Sequence, residues 1–266
     1  MLRAILQGKA GRVDINGVNK SWRSLFQERE DLLSAAIFSR LSYLREPTSN
    51  QLLIQLFPDF YPGFGRIVEL EFWPRWRLEG REVEPDVLMR FEHCELLVEV
   101  KRPGGITQNS RQWQQELDAF FENISTEKPL LFLALGGLGD NPKEVTDILS
   151  SQLQNIPSSV WVKGTSWQQF YKVLKELALN LDSDNEESRI INDMIESCEL
   201  YGIREYRCMD GLNHLLQDLL NGCSINQNLI FDWERETPLS SERNWDDITG
   251  YSVNLAPKCF EKWKRM

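Results

Sequence analysis

Residues 84–101 read Glu84-Pro85-Asp86-Val87-Leu88-Met89-Arg90-Phe91-Glu92-His93-Cys94-Glu95-Leu96-Leu97-Val98-Glu99-Val100-Lys101. Successive side chains of a strand point to opposite faces, so two strands joined by a tight turn at His93-Cys94 sort this stretch into two sets. One set is Val87, Met89, Phe91, Leu96, Val98 and Val100; it is wholly apolar and must be buried. The other is Asp86, Leu88, Arg90, Glu95, Leu97, Glu99 and Lys101. With that turn Asp86 faces Lys101 and Leu88 faces Glu99, so two carboxylates and an ammonium converge at one end of a hairpin. A one-residue slip would move Asp86 to the apolar face, and the pattern opposes it.

Outward from the hairpin, periodicity assigns the neighbours. Leu33, Ile37 and Leu41 recur at helical spacing within a helix over 28–44, which stops before Pro47 and gives way to an aromatic loop at 57–63. Val68, Leu70 and Phe72 alternate with Glu69 and Glu71 in a half-buried strand over 66–73, and strands follow over 83–91 and 95–101. Trp113, Leu117, Phe120 and Ile124 mark one face of a helix over 110–123. A buried strand at 129–135, a helix at 143–153, a strand at 159–163 and a helix at 166–179 with Ser166 as N-cap complete the run. Three meandering strands followed by α/β crossovers imply an α/β fold with a mixed β-sheet flanked by helices. The acidic stretch 180–188 reads as a linker. Helices at 189–200 and 212–220 then make residues 181–266 a small, mainly helical C-terminal extension, and residues 1–27 a basic N-terminal one.

Composition narrows the classes. Of 266 residues, 41% are hydrophobic and 26% charged, which is ordinary globular usage with a packed core. No apolar run has the length of a membrane span, and the first residues lack the apolar stretch of a signal peptide, so a cytoplasmic protein is expected with no membrane partner. The cysteines (Cys94, Cys198, Cys208, Cys223, Cys259) are odd in number and scattered, which fits free thiols and not a disulfide framework or a zinc knuckle. The net charge of −10 runs against phosphate binding, but basic residues cluster in 1–25 (Arg3, Lys9, Arg12, Lys20, Arg23), around Lys101, Arg102 and Arg111, and at the end (Lys258, Lys262, Lys264, Arg265).

With His93 and His214 as its two histidines, the chain lacks the imidazoles of most zinc hydrolases and histidine-based nucleases. It has no G-x-S-x-G elbow and no P-loop, and Gly136-Gly137-Leu138-Gly139 reads as a plain strand-to-helix loop. The tryptophans sit at core spacings. Chemistry therefore falls to carboxylates and lysine. Two converging carboxylates suit Mg²⁺, a hard cation that takes oxygen ligands and keeps several waters, and a lysine beside them can orient the attacking water.

Pro85-Asp86 followed by Glu99-Val100-Lys101 resembles the PD-(D/E)XK, or restriction-endonuclease-like, nuclease superfamily, as does the element order over residues 28–180. The resemblance implies Asp86 and Glu99 as metal ligands, the Val100 carbonyl as a further ligand, and Lys101 as the residue assisting the nucleophile. It implies a glutamate on the preceding helix, Glu30 or Asp31, with Glu30 the better placed, and a glutamine on the following helix, Gln112 or Gln115. The cofactor it implies is Mg²⁺, with Mn²⁺ able to substitute. The reaction it implies is hydrolysis of DNA phosphodiesters, with RNA as the alternative polymer, in restriction, phage defence, transposition or repair. A homodimer and a targeting protein are the expected partners. The competing reading is a catalytically silent relative that binds nucleic acid or protein. The plainest reading of the three charges is a solvated strand face with a cross-strand ion pair.

Overall fold

A computed structural model describes residues 4–5, 7–60, 63–182 and 185–204. All described residues belong to one compact unit, Met1–Tyr206. The helix read at 212–220, His214, the basic cluster 258–265 and Cys208, Cys223 and Cys259 lie outside the described residues.

Five strands form the central sheet: β3 (Ile67–Phe72), β6 (Val87–Phe91), β7 (Glu95–Val100), β8 (Leu130–Leu135) and β9 (Val160–Thr165), in that spatial order. β3, β6 and β7 are antiparallel neighbours; β7, β8 and β9 run parallel. Helix α4 (Ser110–Asn123) carries the chain from β7 to β8, and α5 (Pro142–Ser151) from β8 to β9. The mixed sheet is thus the α/β arrangement that the periodicity implies. Helices α1 (Trp22–Glu28), α2 (Glu30–Leu41), α3 (Glu46–Leu56), α6 (Trp167–Leu179) and α7 (Glu186–Leu200) make up the rest, with two small hairpins, β1–β2 (Arg12–Ile15, Val18–Ser21) and β4–β5 (Trp76–Leu78, Arg81–Val83).

Strands β6, β7 and β8 are buried on both faces, while the edge strands β3 and β9 are partly exposed. Val87, Met89, Val98, Val100 and Leu133 pack with Leu33, Ile37 and Leu41 of α2, with Phe170 and Leu174 of α6, and with Ile191, Met194 and Cys198 of α7. On the opposite face Leu88, Leu97, Phe132 and Ala134 pack with Trp113, Leu117 and Phe120 of α4 and with Trp76. The reading of that second face as solvated is therefore overturned: the amphipathic α4 covers it. Burial on both sides is what a strand joined to parallel neighbours by helical crossovers requires. α7 shares the core with α2 and α6, so the helix after the acidic stretch belongs to the same packed body.

Several boundaries differ from those read off the sequence, each for a local reason. The helix expected over 28–44 is α2 and is shorter at both ends: Arg29 is extended (φ −110°, ψ 115°) and separates it from α1, and it stops at Leu41. Pro47 does not end a helix but sits in the first turn of α3, where its missing N–H costs no intrahelical bond. The strand expected over 83–91 breaks at Glu84-Pro85-Asp86; Val83 closes β5, and β6 starts at Val87. Asn16-Gly17, with φ of 53° and 79°, turns the hairpin inside the segment read as a bare basic extension. Val68 is exposed because the β3–β6 register shifts between Ile67 and Glu69.

Candidate active site

The β6–β7 turn is Glu92-His93, one position earlier than His93-Cys94: Phe91 N–H donates to the Cys94 carbonyl at 2.9 Å, and Met89 pairs with Leu96 and Val87 with Val98. One further step along this register sets Asp86 opposite Glu99, and not opposite Lys101. The pairing has moved by two residues, and a displacement of two leaves every side chain on its face. Asp86 and Glu99 therefore still converge, at the carboxyl end of β7.

The Asp86 backbone still pairs with the end of β3, its carbonyl accepting from the Trp73 N–H at 3.0 Å, while its carboxylate turns onto β7: Oδ2 accepts from the Val100 N–H at 2.8 Å, leaving Oδ1. Glu99, 2% exposed, accepts the Lys101 ammonium on Oε1 and also the Gln112 amide at 2.7 Å. Lys101 Nζ lies 3.6 Å from Glu30 Oε1, while Glu30 Oε2 accepts from the Arg102 N–H at 2.8 Å. Glu30 is thus the α2 acid that reaches the site, from the first residue of the helix; it joins one core layer to the other. No hydrogen bond or ion pair ties Asp31 to these groups. Of the two glutamines, Gln112 is in the site. Gln115 is half-buried on the same helix and makes none of these hydrogen bonds.

A further residue, absent from the sequence reading, belongs to the group. Glu116 is 2% exposed; its Oε1 accepts from the Gln112 amide at 2.9 Å, and its Oε2 is buried without a partner. Its sequence signal is a carboxylate among Trp113, Leu117 and Phe120 on the buried face of α4.

The backbone around Lys101 is held closely. Trp167 Nε1 donates to the Lys101 carbonyl at 2.7 Å, and the Lys101 N–H donates to Leu135. Gly136 (φ 79°) lies so near that a Cβ would stand 2.1 Å from the Lys101 carbonyl oxygen. Gln108, buried, donates to the carbonyls of Glu99 (3.3 Å) and Gly136 (3.2 Å) and accepts from Trp113 Nε1 at 2.8 Å. The strand end is fixed from three sides, which pre-organises its side chains.

Four carboxyl groups face one ammonium here, and burial sets the electrostatics. Burial and the charge of Glu99 lift Asp86 to about 8, against the Val100 hydrogen bond. Burial lifts Glu99 as well, even though Lys101 opposes the shift, and burial with the charge of Glu99 lifts Glu116 well above the carboxylate range. Burial works against the Lys101 ammonium, but Glu99, Glu30 and Asp86 outweigh it and keep the lysine charged. Such a cluster calls for added positive charge, supplied by protons or by a cation.

The donor set is all oxygen, which fits Mg²⁺. Among the described residues no group of three or more His, Cys, Asp or Glu side chains is disposed to hold a metal ion; Mg²⁺ commonly takes one or two carboxylates and fills its shell with water and substrate oxygens. Asp86 and Glu99 are the pair that would hold it. A cavity of about 470 Å³ between the end of α3, β9 and α5 touches none of Glu30, Asp86, Glu99 or Lys101.

Among the described residues no helix is long and apolar enough to cross a membrane. No family model matches the chain. It is similar to an uncharacterized protein of Pasteurella multocida (strain Pm70), with 29% identity over 262 residues that cover 96% of each chain.

Proposed function

We propose that this protein is a metal-dependent nuclease with a restriction-endonuclease-like core, hydrolysing phosphodiester bonds of DNA. The observation that carries the reading is the convergence of Asp86, Glu99, Lys101 and Glu30 at the carboxyl end of the central strand. Solvated ion pairs decorate many sheets; desolvated carboxylates with raised affinity for protons, gathered around one lysine, are the mark of a working site.

Mg²⁺, or Mn²⁺ in its place, would supply a polarised water and neutralise charge on the phosphoryl oxygens. Asp86 Oδ1 and Glu99 would hold it. Lys101, charged and steered by Glu99 and Glu30, would orient the attacking water and meet the developing negative charge. Gln112 holds the Glu99 carboxylate in its rotamer, and Glu30 ties the Arg102 backbone to α2. The polymer could equally be tested as RNA, and a homodimer or a targeting protein would fit a chain that carries no motor motif. Restriction, phage defence, transposition and repair are the settings that such a core suits.

A silent binding subunit is the second reading. It is favoured by the net charge of −10 and by the engagement of the Lys101 ammonium with Glu99 and Glu30. Isothermal calorimetry with Mg²⁺ and Mn²⁺ separates the two. The nuclease reading expects metal binding by the wild type that is lost in Asp86→Asn; absence of metal binding together with salt-sensitive binding to DNA would favour the silent subunit.

A further inference from the structure

β7, β8 and β9 end level, with Val100 beside Leu135 and Leu135 beside Thr165. The loops leaving these three ends enclose a basin of about 300 Å³, whose walls include Arg102, Thr107, the Gly136–Asp140 turn and Trp167. The carboxyl ends of parallel strands are where open α/β sheets take their ligands. This basin begins one residue beyond Lys101 and shares a wall with it: a Cβ on Gly137 would stand 2.8 Å from the Lys101 Cβ.

The basin is already formed. Gln108 N–H donates to the Gly137 carbonyl at 3.0 Å, Gly136 N–H to Thr165 at 2.9 Å, and Gly105 N–H to Arg102 at 3.0 Å, so each rim loop is pinned at its base. Its glycines leave the walls bare. At Gly104 and Gly139 a Cβ would meet nothing within 4 Å, so this space is open to a bulky guest. Arg102 is the cation of the basin. Among the described residues its guanidinium forms no salt bridge, though its charge acts on Glu28, and its own N–H is anchored by Glu30. Ile106 does not line the basin but lies between its lining residues Gly105 and Thr107 in the chain, and its apolar side chain is 80% exposed. Asp140 is the one carboxylate of the lining.

A guanidinium without a salt bridge in a glycine-walled basin next to a lysine–carboxylate centre, with an exposed aliphatic side chain adjoining its lining in the chain, matches a nucleotide: phosphate for the arginine, sugar and base for the isoleucine. We propose that this basin seats the nucleotide adjoining the scissile phosphate, with Arg102 on that nucleotide's phosphate and Ile106 against its sugar and base. The proposal deepens the nuclease reading and rests on it for the position of the scissile bond.

The test is fluorescence anisotropy of the full chain with a fluorescein-labelled single-stranded DNA oligonucleotide, with Ca²⁺ in place of Mg²⁺, titrated at several salt concentrations. Arg102→Ala should weaken binding about tenfold and make the salt dependence shallower by about one counterion; Arg102→Lys should restore that slope. Ile106→Ala should weaken binding severalfold with the slope unchanged. Asp140→Asn should tighten binding, a gain that a misfolded variant would not show. Wild-type affinity and slope in Arg102→Ala and Asp140→Asn would overturn the basin, even if plasmid cleavage is intact. Basin-dependent binding by a wild type that cleaves nothing would instead uphold the basin and overturn the nuclease.

Discussion

Glu99 is held by three neighbours at once: the Lys101 ammonium, the Gln112 amide, and through that amide Glu116. Removing the ammonium leaves buried carboxylates without a counter-charge, so Lys101→Met is expected to destabilise the metal-free protein by about 3 kcal/mol, read from urea unfolding. The pH dependence follows from the raised carboxyls. A carboxyl whose folded pKa lies above its unfolded value stabilises the fold fully below the unfolded value and loses that contribution as pH rises through the folded one. For Asp86 the window runs from its ordinary value of 3.8 up to about 8. The metal-free protein should therefore lose stability across that range, and Glu116→Gln should make the loss shallower, both by thermal melting in EDTA. Asp86, Glu99 and Lys101 were legible in the sequence because alternation put them on one face, whereas Glu30, with Asp31 as its alternative, came from the family resemblance. Glu116 was not, because a carboxylate on a helix declares its role only when the face around it is known to be buried.

The elements explain why the site survived a wrong register. Placing the turn one position late displaces the β6–β7 pairing by two, and the strand period of two returns each side chain to its own face. Prolines were harder to read. Pro85 interrupts the run read as one strand over 83–91, while Pro47 sits in the first turn of a helix instead of stopping one. Neither role follows from proline alone, since both depend on what the adjacent backbone N–H would have bonded to. The meeting of the β8–α5 turn with the end of β7 is also invisible in sequence, and it can be tested. Gly136→Ala forces a side chain onto a positive φ and against the Lys101 carbonyl. It is expected to cost about 3 kcal/mol in unfolding free energy and to lose cleavage with it. A variant with wild-type stability would show that the turn does not brace the strand end.

At the scale of the molecule, a chain of net charge −10 approaches a polyanion against its own field. Divalent metal should then act on association as well as on chemistry. At fixed ionic strength Ca²⁺ is expected to raise the affinity for a duplex oligonucleotide by about tenfold or more over EDTA, and Asp86→Asn to remove most of that gain, measured by anisotropy. The mixed sheet was legible from the order of the periodic segments. The burial of its second face was not, because Leu88, Leu97, Glu99 and Lys101 alternate as a half-solvated strand would, and it is the packing of α4 and Trp76 that covers Leu88 and Leu97.

The most direct test of the whole proposal is the nicking of supercoiled plasmid in Mg²⁺ or Mn²⁺ by wild type, Lys101→Ala and Asp86→Ala, purified identically. The nuclease reading expects nicking by the wild type that stops in EDTA and falls by at least about a hundredfold in both variants. Nicking that persists in the variants at the wild-type rate, or a wild type inert on every DNA and RNA form with either metal, would contradict it.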